Sequence, residues 1–170
     1  MRERRQSGTD RRRAREFEAF VAGAAGRLLH AATLLTGEPA DAKPRAEQLL
    51  TAALARTYAD WDRLRGEDPY DRARQEIVTR YARGAWRHHP RTGEGLLGRL
   101  GPQERLILVL RLYEGVAEER TAALVGLPVD RVRAICARAV AAMRRPAPAR
   151  RPAPPWPLSL LALLSRQTAR

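Results

Sequence analysis

Cysteine is nearly absent: Cys136 is the single one in 170 residues. An intramolecular disulfide framework is therefore excluded, and the usage fits a reducing compartment. Histidine is almost as scarce. His30, His88, His89 and Cys136 form no zinc-ligand spacing, and neighbours such as His88 and His89 point about 100° apart on a helix. Uninterrupted apolar runs are short, well below the ~20 residues that span a bilayer, so no membrane span is expected. Glu16, Glu18 and Arg27 interrupt any apolar run after the N-terminal arginines, so no secretory signal is expected either. No nucleophile–base pair is signalled, and Cys136 falls on an apolar stripe that suits a packed thiol. The expectation is a cytoplasmic protein that is not an enzyme, with no catalytic residue, no metal and no cofactor.

Positive charge is abundant. The chain holds 32 Lys+Arg against 19 Asp+Glu, a formal charge of +13, and Lys43 is the lone lysine. Residues 1–15 carry seven arginines and two acids, and residues 144–170 carry six arginines and no acid, so the tails hold +5 and +6. The body between them is nearly balanced at +2. Basic tails bind polyanions by counterion release without reading sequence, or serve as solvated ends. Hydrophobic residues at 44% are enough for a core.

Apolar residues recur at three- and four-residue spacing through most of the chain, and no stretch alternates with period two. One amphipathic helix is expected over 16–36, ending at Gly37. A second opens near Pro44 and runs to Trp61. In RGEDP (65–69), Asp68 is placed to cap and Pro69 to open a third, running toward Trp86. After a break at 88–93, a short helix near 96–100 leads to Gly101-Pro102, which opens QERLILVLRLYEG. Beyond residue 146, PAPARRPAPPWP favours extended, polyproline-like chain and cannot pack a core. The apolar LSLLALL at 158–164 suits docking or self-packing.

The expected fold is all-α: two small helical domains with basic disordered tails. The boundaries are a tail at 1–15, a helical domain at 16–88, a linker at 89–95, a second domain at 96–145 and a Pro-rich tail at 146–170. In the second domain, AEERTAALVG and LPVDRVRAICARAVAAMRR read as two helices joined at Gly126, a helix-turn-helix pattern. Val129, Val132, Cys136, Ala139, Val140 and Met143 make an apolar stripe on the latter helix. Arg131, Ala134, Arg138 and Arg145 take the far face, flanked by Arg133. Such a helix suits a major groove, where arginine pairs with guanine edges or phosphate. The same pattern also describes a solvated arginine face on an ordinary bundle.

Residues 104–145 resemble region 4 of the extracytoplasmic-function sigma factors, especially a small actinobacterial group with LLTG and RLYEG signatures. FEAFV…LLHAATLLTG (17–37), AEQLLTAALARTYADWDRL (46–64) and DPYDRARQEIVTRYARGAWR (68–87) are similar to region 2, in the family's order. The resemblance implies a transcription initiation factor that recruits RNA polymerase to promoters. Its −35 contacts would be Arg131, Arg133, Ala134, Ile135 and Arg138. Its −10 contacts would be Arg72, Thr79, Arg80, Arg83 and Trp86. Glu47, Gln48 and Thr51 would face the β′ clamp of the polymerase core. Promoter DNA, core polymerase and an anti-sigma factor are the implied partners.

Several positions depart from the family's pattern. The docking helix, usually close to AEDLVQEAL, reads AEQLLTAAL, so Gln48, Thr51 and Ala52 replace polar or acidic residues and Glu47 alone keeps a charge. Ala117 stands where a capping Ser or Thr is usual, Arg120 where an acid is, and Pro128 where a Ser is. The linker is much shorter than the family's. These departures support an alternative: a sigma-derived regulator that binds DNA or a partner without forming holoenzyme. A third reading makes the chain a tethering protein built around its Pro-rich tail.

Overall fold

The computed structural model describes residues 2–64, 66–85 and 96–145, with side chains described from Gly8 onward apart from those of Ala85 and Leu96. The 146–170 tail, Trp86 and the 89–95 linker lie outside them. Every regular element among the described residues is helical. They are α1 (Arg2–Thr36), α2 (Pro44–Ala59), α3 (Pro69–Ala85), α4 (Pro102–Leu108), α5 (Glu118–Val125) and α6 (Val129–Arg144). Short 3₁₀ turns at Trp61–Arg63 and Leu96–Arg99 precede α3 and α4, and α4 continues into a π-helical turn, Val109–Tyr113.

Helix ends follow the local chemistry. Gly37 takes φ 68° after α1 and Gly126 takes φ 69° after α5, left-handed values that cost glycine least. Pro44, Pro69 and Pro102 open their helices, where a missing N–H costs nothing. The Tyr70 N–H donates to the Asp68 carboxylate at 2.9 Å, so Asp68 does cap α3. Lys43, at the cap position of α2, offers no side-chain bond. Glu38 reaches over instead, accepting from the Arg45 and Ala46 N–H groups at 3.1 and 2.8 Å. A carboxylate there also faces the positive end of the helix dipole.

The N-terminal tail differs from expectation. Residues 1–15 were expected to be disordered, yet α1 is continuous from Arg2. Arg and Glu are good helix formers, and Arg12 pairs with Glu16 one turn on at 2.8 Å. Arg13 lies 4.4 Å from the centre of the Tyr58 ring, pairs with Asp62 at 3.1 Å and donates to the Tyr58 carbonyl. Phe17 packs beside it, tilted against Tyr58 and edge-on to Trp61, at 4.8 and 5.1 Å between centroids. Tertiary contacts of this kind hold the extension against the end of α2.

Gly8–Thr36 of α1 is long and apolar enough to cross a membrane by length and composition, although no uninterrupted apolar run is that long. Its packing shows where much of that apolarity goes. Ala24, Leu28, Ala31, Ala32 and Leu35 are buried in a cluster with Ala46 and Ala53 of α2, Ala73, Ile77 and Val78 of α3, and Leu106, Val109 and Leu110 around α4. Each fully buried leucine here stabilises the fold by roughly 1.5–3 kcal/mol. This core joins residues from both sides of the 89–95 segment.

Two buried charges cross the same boundary. Arg105, 5% exposed, donates to the carbonyl of Leu35 at 3.1 Å and that of Leu97 at 2.9 Å. Glu114 has a side chain only 1% exposed, and accepts from the Tyr70 hydroxyl at 3.0 Å to each carboxylate oxygen. Arg74 and Arg27 lie 3.4 and 3.7 Å from the same carboxylate. Burial, then the charge and hydrogen bond of Glu114, push the Tyr70 hydroxyl well above the ordinary tyrosine range.

At Gly37 an added Cβ would meet Arg105 Nη1 at 2.6 Å, on top of the left-handed backbone. Gly37→Ala should lower stability by about 1–3 kcal/mol, measured as the shift of the urea midpoint at constant slope.

Candidate nucleic-acid interface

α5, the Gly126-Leu127-Pro128 turn and α6 form the helix-turn-helix expected from the sequence. Hydrophobic seating orients α6. Val132 and Ile135 pack with Ile107 and Ala122, while Ala139 packs with Leu100 and Leu108. Val129, Cys136, Val140 and Met143 are half-buried at the edges of these clusters. Burial raises the pKa of the Cys136 thiol above its usual value.

The seating corrects one expected contact. Ile135 was aligned with a basic position of the −35 set, but it is 2% exposed and belongs to the core. Position 135 is three residues from Val132 and four from Ala139, so it shares their inward face. Arg131, Ala134 and Arg138 are exposed, as are Ala137 and Ala141. Arginines at 131 and 138, two turns apart with alanines between them, give a cationic strip whose backbone can come close to a surface. Arg133 is engaged differently. It bonds Glu118 at 2.9 Å and Asp130 at 3.0 Å, which ties α6 to the first turn of α5 and raises its own pKa, chiefly through Glu118. Among the described residues, Arg131 and Arg138 are the arginines of the set without an ion pair.

Of the set expected on α3, Arg80 and Arg83 are exposed and Arg72 and Thr79 are half-buried, while Ala73 and Ile77 are in the core. Arg80 pairs with Glu76 at 2.7 Å, the Thr79 hydroxyl donates to the Gln75 carbonyl at 2.8 Å, and Arg83 is exposed. Arg72 donates to Asp60 at 2.9 Å, and Arg56 pairs with the same oxygen at 3.1 Å. That bond to Arg72 holds the Asp60 carboxyl below the usual aspartate range. Trp86 lies outside the described residues. Beside the turn before α3, a cleft of about 860 Å³ is lined by Arg12, Arg13, Trp61 and Asp62 among others. Both arginines there already have carboxylate partners, Glu16 and Asp62.

Glu47, Gln48 and Thr51 come together on the exposed face of α2, with Ala52 and Ala55 beside them. Among the described residues, no group of three His, Cys, Asp or Glu side chains could hold a metal. Sequence reasoning missed Glu118, which also faces Arg111 at 3.5 Å, and Asp71, which receives Arg120 of α5 at 2.7 Å. Only the acidic first turn of α5 hinted at the first, and nothing local hinted at the second.

A helix-turn-helix with an outward arginine strip, mounted on a second helical unit, presents a surface suited to duplex DNA. Residues 96–145 match the family described as Sigma-70, region 4. The chain is 28% identical over 153 residues to the RNA polymerase sigma-E factors of Streptomyces coelicolor and Streptomyces avermitilis. Those alignments cover 76% of this chain and 84% and 83% of the two relatives. Residues 96–145 are thus similar to a sigma-70 region 4 domain, and the chain as a whole is similar, at moderate identity, to sigma-E factors.

Two predictions follow from the packing and the ion pairs. Ile135→Ala should cost about 2–5 kcal/mol, whereas Arg138→Gln should stay within about 0.5 kcal/mol, both read from denaturant unfolding. Asp60 has a lowered pKa in the fold, so its contribution is present above the unfolded aspartate value and is lost as pH falls through the lowered one. Asp60→Asn should therefore flatten the acid limb of a thermal-midpoint profile.

Proposed function

We propose that the chain directs RNA polymerase to a specific set of promoters in the cytoplasm. α6 would read the −35 element through Arg131 and Arg138, with Ala134 allowing close approach and Arg133 joining once released from Glu118. The α3 face of Arg72, Thr79, Arg80 and Arg83, continued by Trp86, would hold the opened −10 strand. Duplex sequence is read by side chains in the groove, while a melted strand is held by a basic track and stacking. Glu47, Gln48 and Thr51 would meet the β′ clamp, and an anti-sigma factor would be the regulating partner. In this reading 16–88 and 96–145 act as two domains joined by 89–95.

The observation that carries the reading is the arginine strip of α6, unpaired and turned outward by the seating of Val132, Ile135 and Ala139. A second reading, a DNA-binding regulator without polymerase, draws on the docking face of α2, where Glu47 is the one carboxylate beside Gln48, Thr51 and Ala52.

Co-purification with core polymerase separates the two. Retention on core, with transcription from a selected promoter, supports the first; DNA binding without retention supports the second. Arg131→Gln and Arg138→Gln should each cost about 1–3 kcal/mol of discrimination at one base pair. Substitution of Arg11 or Arg15 should instead weaken all sequences alike and reduce the salt dependence.

A further inference from the structure

A groove of about 400 Å³ runs between α2 and α3, lined by Gln48, Leu49 and Ala52 on one side and Tyr81 and Gly84 on the other, with Thr36 at the end of α1. Leu49 and Tyr81 are half-buried: they pack on the main core and leave apolar surface in the groove. A Cβ added at Gly84 would meet nothing within 4 Å, so the groove is open there. Gln48 and Ala52 stand where the family's pattern has polar or acidic residues, and the groove is left without a carboxylate.

The C-terminal end of α6 is close to this groove. The Arg145 carbonyl accepts from Arg99 at 2.8 Å. Two residues back, the Leu97 carbonyl accepts from Arg105, whose other terminal nitrogen donates to the Leu35 carbonyl. Thr36 is next in sequence and lines the groove. That path of bonds and side chains is on the order of 30 Å long, and the straight distance is shorter. Residues 146–157, PAPARRPAPPWP, reach roughly 37 Å as polyproline at ~3.1 Å per residue. They lead to LSLLALL (158–164), the longest apolar run outside the described residues. Its leucines at 160, 161 and 164 share one side of a helical turn. A tether of this length supplies the segment at an effective concentration of about millimolar, which a separate partner would have to match.

We propose that 158–164 docks in the α2–α3 groove of its own chain, with its leucines against Leu49, Ala52 and Tyr81. Docking covers Gln48 and Ala52, and so competes with the polymerase clamp for the same face of α2. The competition rests on the role proposed for that face; the docking rests on the groove and the tether alone. Docked about two-thirds of the time, the segment leaves about one-third of the chains competent and weakens core binding about threefold.

The test places a nitroxide at Thr168→Cys in the full chain carrying Cys136→Ser, and reads paramagnetic broadening of the backbone amides. Broadening should centre on Gln48, Leu49, Ala52, Tyr81 and Gly84. Leu161→Asp combined with Leu164→Asp should abolish it, with helicity by circular dichroism unchanged. Labelled chain mixed with unlabelled, isotope-enriched chain should leave the same amides sharp. Even broadening over the surface, broadening centred elsewhere, or broadening in the mixed sample would each overturn the docking. The double aspartate variant should bind core polymerase about threefold more tightly than the parent, and equal or weaker binding would overturn the competition. Absence of core binding by both proteins would sink the promoter reading instead, and the broadening pattern would still decide the docking.

Discussion

The Glu114 carboxylate sits where three helices meet, and the arrangement of the whole chain depends on how its charge is met. A buried ion is tolerated only when partners replace the water it has lost. Here those partners are a tyrosine hydroxyl and a guanidinium on α3 and a second guanidinium on α1. The π-helical turn at Val109–Tyr113 ends with the Glu114 N–H donating to the Val109 carbonyl at 2.9 Å. That wider turn, followed by Gly115 at φ 67°, sets where the carboxylate enters the core. Arg105, one helical face earlier, fastens the start of the same element to the end of α1.

From this junction the rest of the helix-turn-helix follows. α4 supplies Ile107 and Leu108 to the seat of α6 and Leu106 and Leu110 to the core shared with α1 and α3. One short helix therefore serves two interfaces on opposite faces. The orientation of the arginine strip on α6 is inherited from that bridge, with Glu118 holding Arg133 as a side stay. Charge on α6 thus has two uses: Arg133 stabilises the unit, while Arg131 and Arg138 remain open to a partner.

Much of this was legible from local sequence. Gly37, Pro44, Asp68-Pro69, Gly101-Pro102 and Gly126 mark helix ends because their backbone demands are intrinsic. The helix-turn-helix was legible because period 3.6 and a left-handed glycine need no distant partner. Position 135 was not, since alignment to a family pattern assigned it by order, while burial depends on Ile107 some thirty residues earlier. The N-terminal arginines read as a solvated tail because composition cannot show that Arg13 finds Tyr58 and Asp62. Glu38 was missed as a cap because the usual position, Lys43, is adjacent to the helix and Glu38 is not.

By itself the sequence determined the class of the fold and most helix ends, because apolar spacing, glycine and proline act over a few residues. Only the tertiary structure decided which charges are spent inside the protein. Glu114, Arg105, Arg133 and Arg120 each meet partners between 3 and 87 residues away, and the electrostatics of a site are set by neighbours in space. The +13 that dominates the composition therefore says little about where recognition lies. On α6, Arg131 and Arg138 stay outside the ion pairs formed by Arg133, and three buried side chains turn them outward.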